Sequence, residues 1–168
     1  LSGSPYVLQE LYGFGPSQFG LIFAACSSSF VFGAWLGGRL VARRGLDGMI
    51  RLGVACLLAG GLGQAMAVFA FPKATLALVG PEMIYFLGIG FLLPNTQAAA
   101  MTPFPERAGA ASSLIGFTQM ISAAIVSWIM AASLGSSAWP LVTVMTLSGL
   151  GAFAVFHSTT RHRGSGRL

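Results

Sequence analysis

Charge is the first thing this chain lacks. Only 8% of its 168 residues are charged and just four are acidic, whereas a soluble domain carries roughly 25% charged residues. So little charge cannot coat a water-facing surface. The 55% hydrophobic content excludes a disordered chain as well, because apolar surface on that scale does not stay solvated. Reactive side chains are equally sparse. Cys26 and Cys56 have no CxxC spacing, and with His157 and His162 they form no ligand set, so neither a disulfide framework nor a metal site is expected. No GxSxG elbow occurs. Gly149 to Ala154 matches GxGxxA by letter only, with no strand before it and no acid after it, so no nucleotide cofactor is expected either. An intramembrane enzyme would need convergent Ser, His, Asp or metal ligands at depth, and that class is set aside.

What the chain does have is long uncharged runs, at 11 to 38, 52 to 72, 83 to 105 and 108 to 160. A helix needs about 20 apolar residues to cross a bilayer. The last run is long enough for two, and Gly135-Ser136-Ser137-Ala138-Trp139-Pro140 divides it with turn residues and an interfacial Trp. The runs are continuous rather than alternating, which argues against a β-barrel. The reading is all-α: a polytopic membrane helix bundle with five spans near 19–38, 52–71, 77–101, 111–133 and 139–157.

Orientation follows from the nine basic residues, since Lys and Arg in short loops stay on the cytoplasmic side. Arg39, Arg43, Arg44 and Arg51 flank the first loop, Arg107 lies in the third, and Arg161, Arg163 and Arg167 are in the tail, which is expected to be disordered. Only Lys73 falls opposite. The expected topology is multi-pass in the cytoplasmic membrane, N-terminus outside and C-terminus inside. The net charge of +5 is then explained by topology and by anionic headgroups, with no nucleic-acid partner. An odd number of spans starting outside, with no initiating Met, predicts that residues 1 to 9 end a preceding span and that the natural chain begins upstream.

Ser4-Pro5-Tyr6-Val7-Leu8-Gln9, followed by Phe14-Gly15-Pro16-Ser17-Gln18-Phe19-Gly20, resembles the link between helices seven and eight of the Bcr/CflA (bicyclomycin-resistance) family of drug:proton antiporters, within the major facilitator superfamily. Leu92-Leu93-Pro94-Asn95-Thr96-Gln97-Ala98 and Ala108-Gly109-Ala110-Ala111-Ser112-Ser113-Leu114 are similar to that family's helix ten and the entry to helix eleven. The resemblance covers nearly the whole chain. It implies helices eight to twelve of a twelve-helix transporter, whose partners are small amphipathic drug-like compounds, protons, the bilayer and an N-terminal half of the same chain. The activity implied is proton-coupled efflux by alternating access. An uptake permease of the same superfamily and a packing subunit without a cavity are the alternatives.

Gly38-Arg39-Leu40-Val41-Ala42-Arg43-Arg44-Gly45 resembles the superfamily's cytoplasmic loop motif, but Ala42 stands where the motif has Asp, which removes any charge lock there. In the first span Cys26, Ser29, Gly33 and Gly37 share one face, a small-residue stripe that suits close helix packing. In the third span Glu82, Tyr85, Thr96 and Gln97 lie within roughly 120° of one face. Pro94 there is expected to kink the helix, with Asn95 satisfying a freed carbonyl locally. Glu82 is the one acid near a span and a candidate protonatable group, although Gly80-Pro81-Glu82 also reads as a helix start. The main proton-coupling carboxylate is expected upstream. In the fourth span Gln119 and Ser122 share a face with Ser112 and Gly116. Tyr85, Thr96, Gln97, Gln119 and Ser122 are the candidate substrate-cavity residues, expected to converge on one wet space. Interhelical hydrogen bonding is the alternative for Gln119.

Overall fold

A computed structural model describes residues 15–70, 75–103, 105–133 and 139–165, and nearly all of them are helical. Four α-helices follow one another: α1 (Pro16–Ala70), α2 (Thr75–Met101), α3 (Ala108–Ser133) and α4 (Trp139–Ser165), with a short 3₁₀ turn at Pro105–Arg107 before α3. Among the described residues the stretches Pro16–Ala70, Val79–Met101 and Pro105–Ile129 are long and apolar enough to cross a membrane, and Val142–Ser158 is a shorter apolar helix.

The start of α1 is locally encoded. Pro16 occupies the first turn, where its missing N–H is no loss, and Gln18 reaches back with Oε1 to accept the Gly15 N–H at 3.2 Å, half of a capping box. At 1.5 Å per residue, its 55 residues would run about 80 Å if straight, far beyond a hydrocarbon core of about 30 Å. Gly45 resolves the conflict. Its φ of 69° and ψ of 172° break the helix into two arms, residues 16–44 and 46–70, and that region of backbone space is open essentially to Gly alone. The expected first loop is therefore a one-residue break: Gly38 to Arg44 are helical, in keeping with the helix propensity of Ala, Leu and Arg. The tail expected to be disordered is instead helical through Ser165, its polar turns continuing the apolar helix that nucleates them.

Packing is glycine-mediated. A Cβ on Gly33 would meet the Leu87 carbonyl oxygen at 2.6 Å, and one on Gly37 would meet Phe91 at 3.3 Å and Asn95 at 3.5 Å. The first arm therefore runs parallel to α2. On the second arm, Gly53 lies against Gly88 and Leu92, and Gly60 lies against Tyr85 and Pro81, which makes that pair antiparallel. Gly88 and Gly90 thus present α2 to both arms at once. Without a hydrophobic force between helices in lipid, such close approach is what supplies the dispersion contact. α4 lies antiparallel along the second arm, with Gly61 against Thr146 and Gly149 against Leu57. Thr146 Oγ1 donates to the Gly61 carbonyl at 3.2 Å across that seam. α3 is peripheral and leaves Leu114, Phe117, Met120 and Trp128 exposed.

These directions bring the Gly45 break and the C-terminal ends of α2 and α4 to one end of the bundle. Arg39, Arg43, Arg44, Arg51 and Arg107 belong to that end, and Arg161 and Arg163 lie in the last turns of α4. Lys73 and Arg167 lie outside the described residues.

Candidate functional site

Between the first arm and α2 lies a cavity of about 410 Å³. Phe23, Ser27, Phe30 and Val31 face it from the arm, and Glu82, Tyr85, Phe86, Ile89 and Leu93 from α2, with Met145 of α4 closing one side. Those positions recur at i, i+4, i+7, i+8 and at i, i+3, i+4, i+7, i+11, the spacing of a single helix face. Among the described residues Glu82 is the one charged member of the lining, and it is 8% exposed. It does not start a helix: Pro81 and Glu82 lie inside α2, which begins at Thr75. Cys26, buried in the first arm, is within electrostatic reach of the Glu82 carboxylate. Tyr85 is buried, and Ser148 Oγ of α4 donates to Val144 O of its own helix at 2.7 Å. A pocket of this size, apolar with one or two placed polar groups, is the usual form of a small-molecule site.

A second cavity of about 360 Å³ lies toward the basic end, between the second arm, α2 and α4, and Asp47 and Thr96 are its polar lining. The candidate residues are therefore divided. Tyr85 faces the first cavity and Thr96 the second. Gln97 Nε2 donates to Gln119 Oε1 at 3.4 Å, joining α2 to α3. Ser122 is exposed on α3. The five do not meet in one space, because a 120° face on a helix clamped between two neighbours is wide enough to be split between them.

α2 runs unbroken through Pro81 and Pro94. Pro94 cannot donate to the Gly90 carbonyl, and the Asn95 side chain bonds one residue further on than that carbonyl: Asn95 Nδ2 donates to Phe91 O at 2.7 Å, and Thr96 Oγ1 to Leu92 O and Leu93 O at 2.9 and 3.0 Å. In the small-residue stripe, Cys26, Gly33 and Gly37 are buried, while Ser29 is half-buried and donates to Ala25 O of its own helix at 3.2 Å. In the loop motif, Arg39, Arg43 and Arg44 are exposed, and the Arg39 guanidinium sits 4.0 Å over the Trp35 ring. Among the described residues no group of three or more His, Cys, Asp or Glu is placed to hold a metal.

The aromatic wall of Phe23, Phe30 and Phe86 is what reasoning from the residues missed. Its helical spacing was available, but nothing in one helix says which face another helix leaves open.

Residues 1–127 match the Major Facilitator Superfamily. The chain belongs to that superfamily, a family of transporters rather than enzymes. It is 31% identical over 147 residues to multidrug resistance protein D of Escherichia coli, covering 88% of this chain and 37% of that protein. It is 27% identical over 164 residues to the uncharacterized MFS-type transporter YdgK of Bacillus subtilis, covering 97% of this chain and 40% of that one. The bicyclomycin resistance protein homolog of Haemophilus influenzae is 26% identical over 141 residues, 80% of this chain and 34% of that protein. The chain thus spans two fifths or less of the length of these relatives. No solved structure matches it at a significant level. Superfamily membership, with long apolar helices, makes this a multi-pass membrane protein.

Proposed function

We propose that this chain supplies helices eight to twelve of a drug efflux transporter of the cytoplasmic membrane, which exports small amphipathic compounds by rocking its two halves about a midplane cavity. The observation that carries the reading is the 410 Å³ cavity with a buried carboxylate, Glu82, in a lining that apart from Ser27 is apolar and aromatic. Drug-resistance names among the relatives support the substrate class. Glu82 is the protonatable group of this half, and a further proton-coupling carboxylate belongs to the preceding helices. The five spans are the two arms of α1 and helices α2 to α4. The basic end of the bundle faces the cytoplasm, as the retention of Arg in short loops requires. That places the first described residues outside and the C-terminus inside. The partner of this bundle is an N-terminal half of the same chain.

Two measurements test the reading. The genomic reading frame should continue upstream of Leu1 through seven further spans, one of the first carrying an acid, and a stop codon close before Leu1 would sink it. Residues 1 to 168 alone, reconstituted in vesicles with a pH gradient, should move no fluorescent drug, because alternating access needs two bodies with substrate between them. Gradient-dependent movement above empty vesicles, lost on Glu82→Gln, would overturn the two-half mechanism.

A further inference from the structure

The cavity of about 360 Å³ toward the basic end is lined from Asp47 to Val54 on the second arm and from Leu92 to Ala99 on α2, with α4 on its third side. At 1.5 Å per residue those stretches make it a slot roughly 10 Å long. Ile50, Val54, Leu92, Ala99 and Ala152 give it hydrocarbon walls. Thr96 adds little polarity, because its hydroxyl donates to Leu92 O and Leu93 O of its own helix. Along α4 the slot opens sideways: Val155 is 67% exposed, and a Cβ on Gly151 would meet nothing within 4 Å. In a membrane bundle such an opening faces lipid. Left empty, the walls would forfeit dispersion contacts, and a linear hydrocarbon chain restores them. The mouth is basic. Arg51 is exposed, and its guanidinium lies 6.0 Å over the ring of Phe156, itself part of the lining. A guanidinium over a ring still presents its N–H fork in its own plane, where it can donate two parallel bonds to a phosphate. Asp47 also lines the slot, but among the described residues of this end Arg39, Arg43, Arg44, Arg51 and Arg107 outnumber Asp47 and Glu106. The local field favours an anion.

We infer that this slot holds one anionic phospholipid, with an acyl chain along the hydrocarbon walls and the phosphate on Arg51 at the mouth. The leaflet at the basic end supplies it, since basic groups near a membrane surface attract anionic lipids. A lipid seated there touches the second arm, α2 and α4 at once, and by binding the folded bundle it stabilises their packing. A soluble phosphate would find Arg51 but leave the slot empty. A zwitterionic lipid has the chain, but its headgroup carries no net charge for this field to attract. The site requires only that the chain spans a membrane.

The purified 168-residue chain in nonionic detergent micelles is titrated with phosphatidylglycerol and, separately, with phosphatidylcholine of the same acyl chains, and bound lipid is counted by native mass spectrometry. One phosphatidylglycerol should be retained saturably, and phosphatidylcholine should bind at least about fivefold more weakly. Inorganic phosphate at the same concentration should not displace the lipid. Arg51→Gln should weaken the first phosphatidylglycerol by about fivefold, the worth of one basic group near a lipid surface, whereas Arg44→Gln, at a position outside the lining, should weaken it by less than about twofold. Ala152→Leu, which narrows the slot, should weaken it with the headgroup contact left in place. Equal retention of the two lipids, displacement by phosphate, equal losses for Arg51→Gln and Arg44→Gln, or unchanged retention in Ala152→Leu overturns the inference. Should the variants misfold, the wild-type chain still decides. Phosphatidylglycerol with a diazirine in its acyl chain should label peptides containing residues 50–54, 92–99 or 151–156, and labelling concentrated instead around the exposed Leu114, Phe117 and Met120 of α3 refutes the slot. Either result leaves the transport reading untouched.

Discussion

Replacing Gly90 with Ala tests whether glycine-mediated approach is what holds the first arm to α2. A Cβ at Gly90 would lie 2.9 Å from the Ala34 nitrogen, 3.0 Å from Gly33 Cα and against the Phe30 carbonyl oxygen. All three are backbone atoms, so no rotamer change relieves them. Ordinary carbon contacts sit near 3.5–4.0 Å, and the two helices must part by roughly half an ångström or more. A gap of that order forfeits about a quarter to a half of the dispersion energy at each affected contact, and overpacking of this kind costs about 1–3 kcal/mol. Ala also gains helix propensity of about 1 kcal/mol over Gly, so the comparison must be with positions that share the gain without the clash. Gly20 and Gly151, where an added Cβ would have nothing within 4 Å, are those positions. Reversible unfolding in mixed micelles, followed by circular dichroism, should place Gly90→Ala about 1–3 kcal/mol below Gly151→Ala and Gly20→Ala. If all three variants unfold together, the close approach contributes nothing and the packing account is wrong.

Gly45→Ala should cost about 1–3 kcal/mol by the same unfolding measurement, since the open space around it does not relieve its backbone conformation; Gly38→Ala, with no neighbour within 4 Å and no positive φ, should not, and equal stability of the two would show the break is not confined to Gly45. Gln119→Ala should cost about 0.6 kcal/mol in the same unfolding measurement, because Gln119 lines neither cavity and its bond to Gln97 joins α2 to α3. On the proposed function it should leave the drug-resistance profile of whole cells carrying the full-length protein unchanged, and an altered profile would show that Gln119 reaches substrate.

Much of the membrane architecture was legible in the order of residues. Scarce charge and runs of uncharged residues dictate helices in lipid, because only an internally hydrogen-bonded backbone survives there. The Arg clusters marked one end of the bundle through their position in the chain alone. The first loop differs from expectation for a local reason: Ala, Leu and Arg continue a helix as readily as they line a loop, and only the positive φ of Gly45 shows where it stops. Glu82 stood out as the one acid near a span, yet Gly-Pro-Glu is equally a helix start and a mid-helix segment. The choice rests on where the backbone upstream becomes helical, which begins at Thr75.

Sequence by itself determined the solvent, the all-helical class, the small-residue faces and the resemblance to a transporter family, since each depends on composition or on spacing within a single helix. Only tertiary structure decided which faces meet. Thr96 lies on the same 120° face as Tyr85 but enters a different cavity, Gln97 bonds across to Gln119, and Ser122 stays exposed. The cavity that Glu82 lines has Phe23 and Phe30 from one helix and Tyr85 and Phe86 from the other, and Gly33 and Gly90 set how closely those two helices approach. Helical periodicity fixes directions within one element, whereas a cavity is the space two elements fail to fill, and that depends on the distance and direction at which they pack.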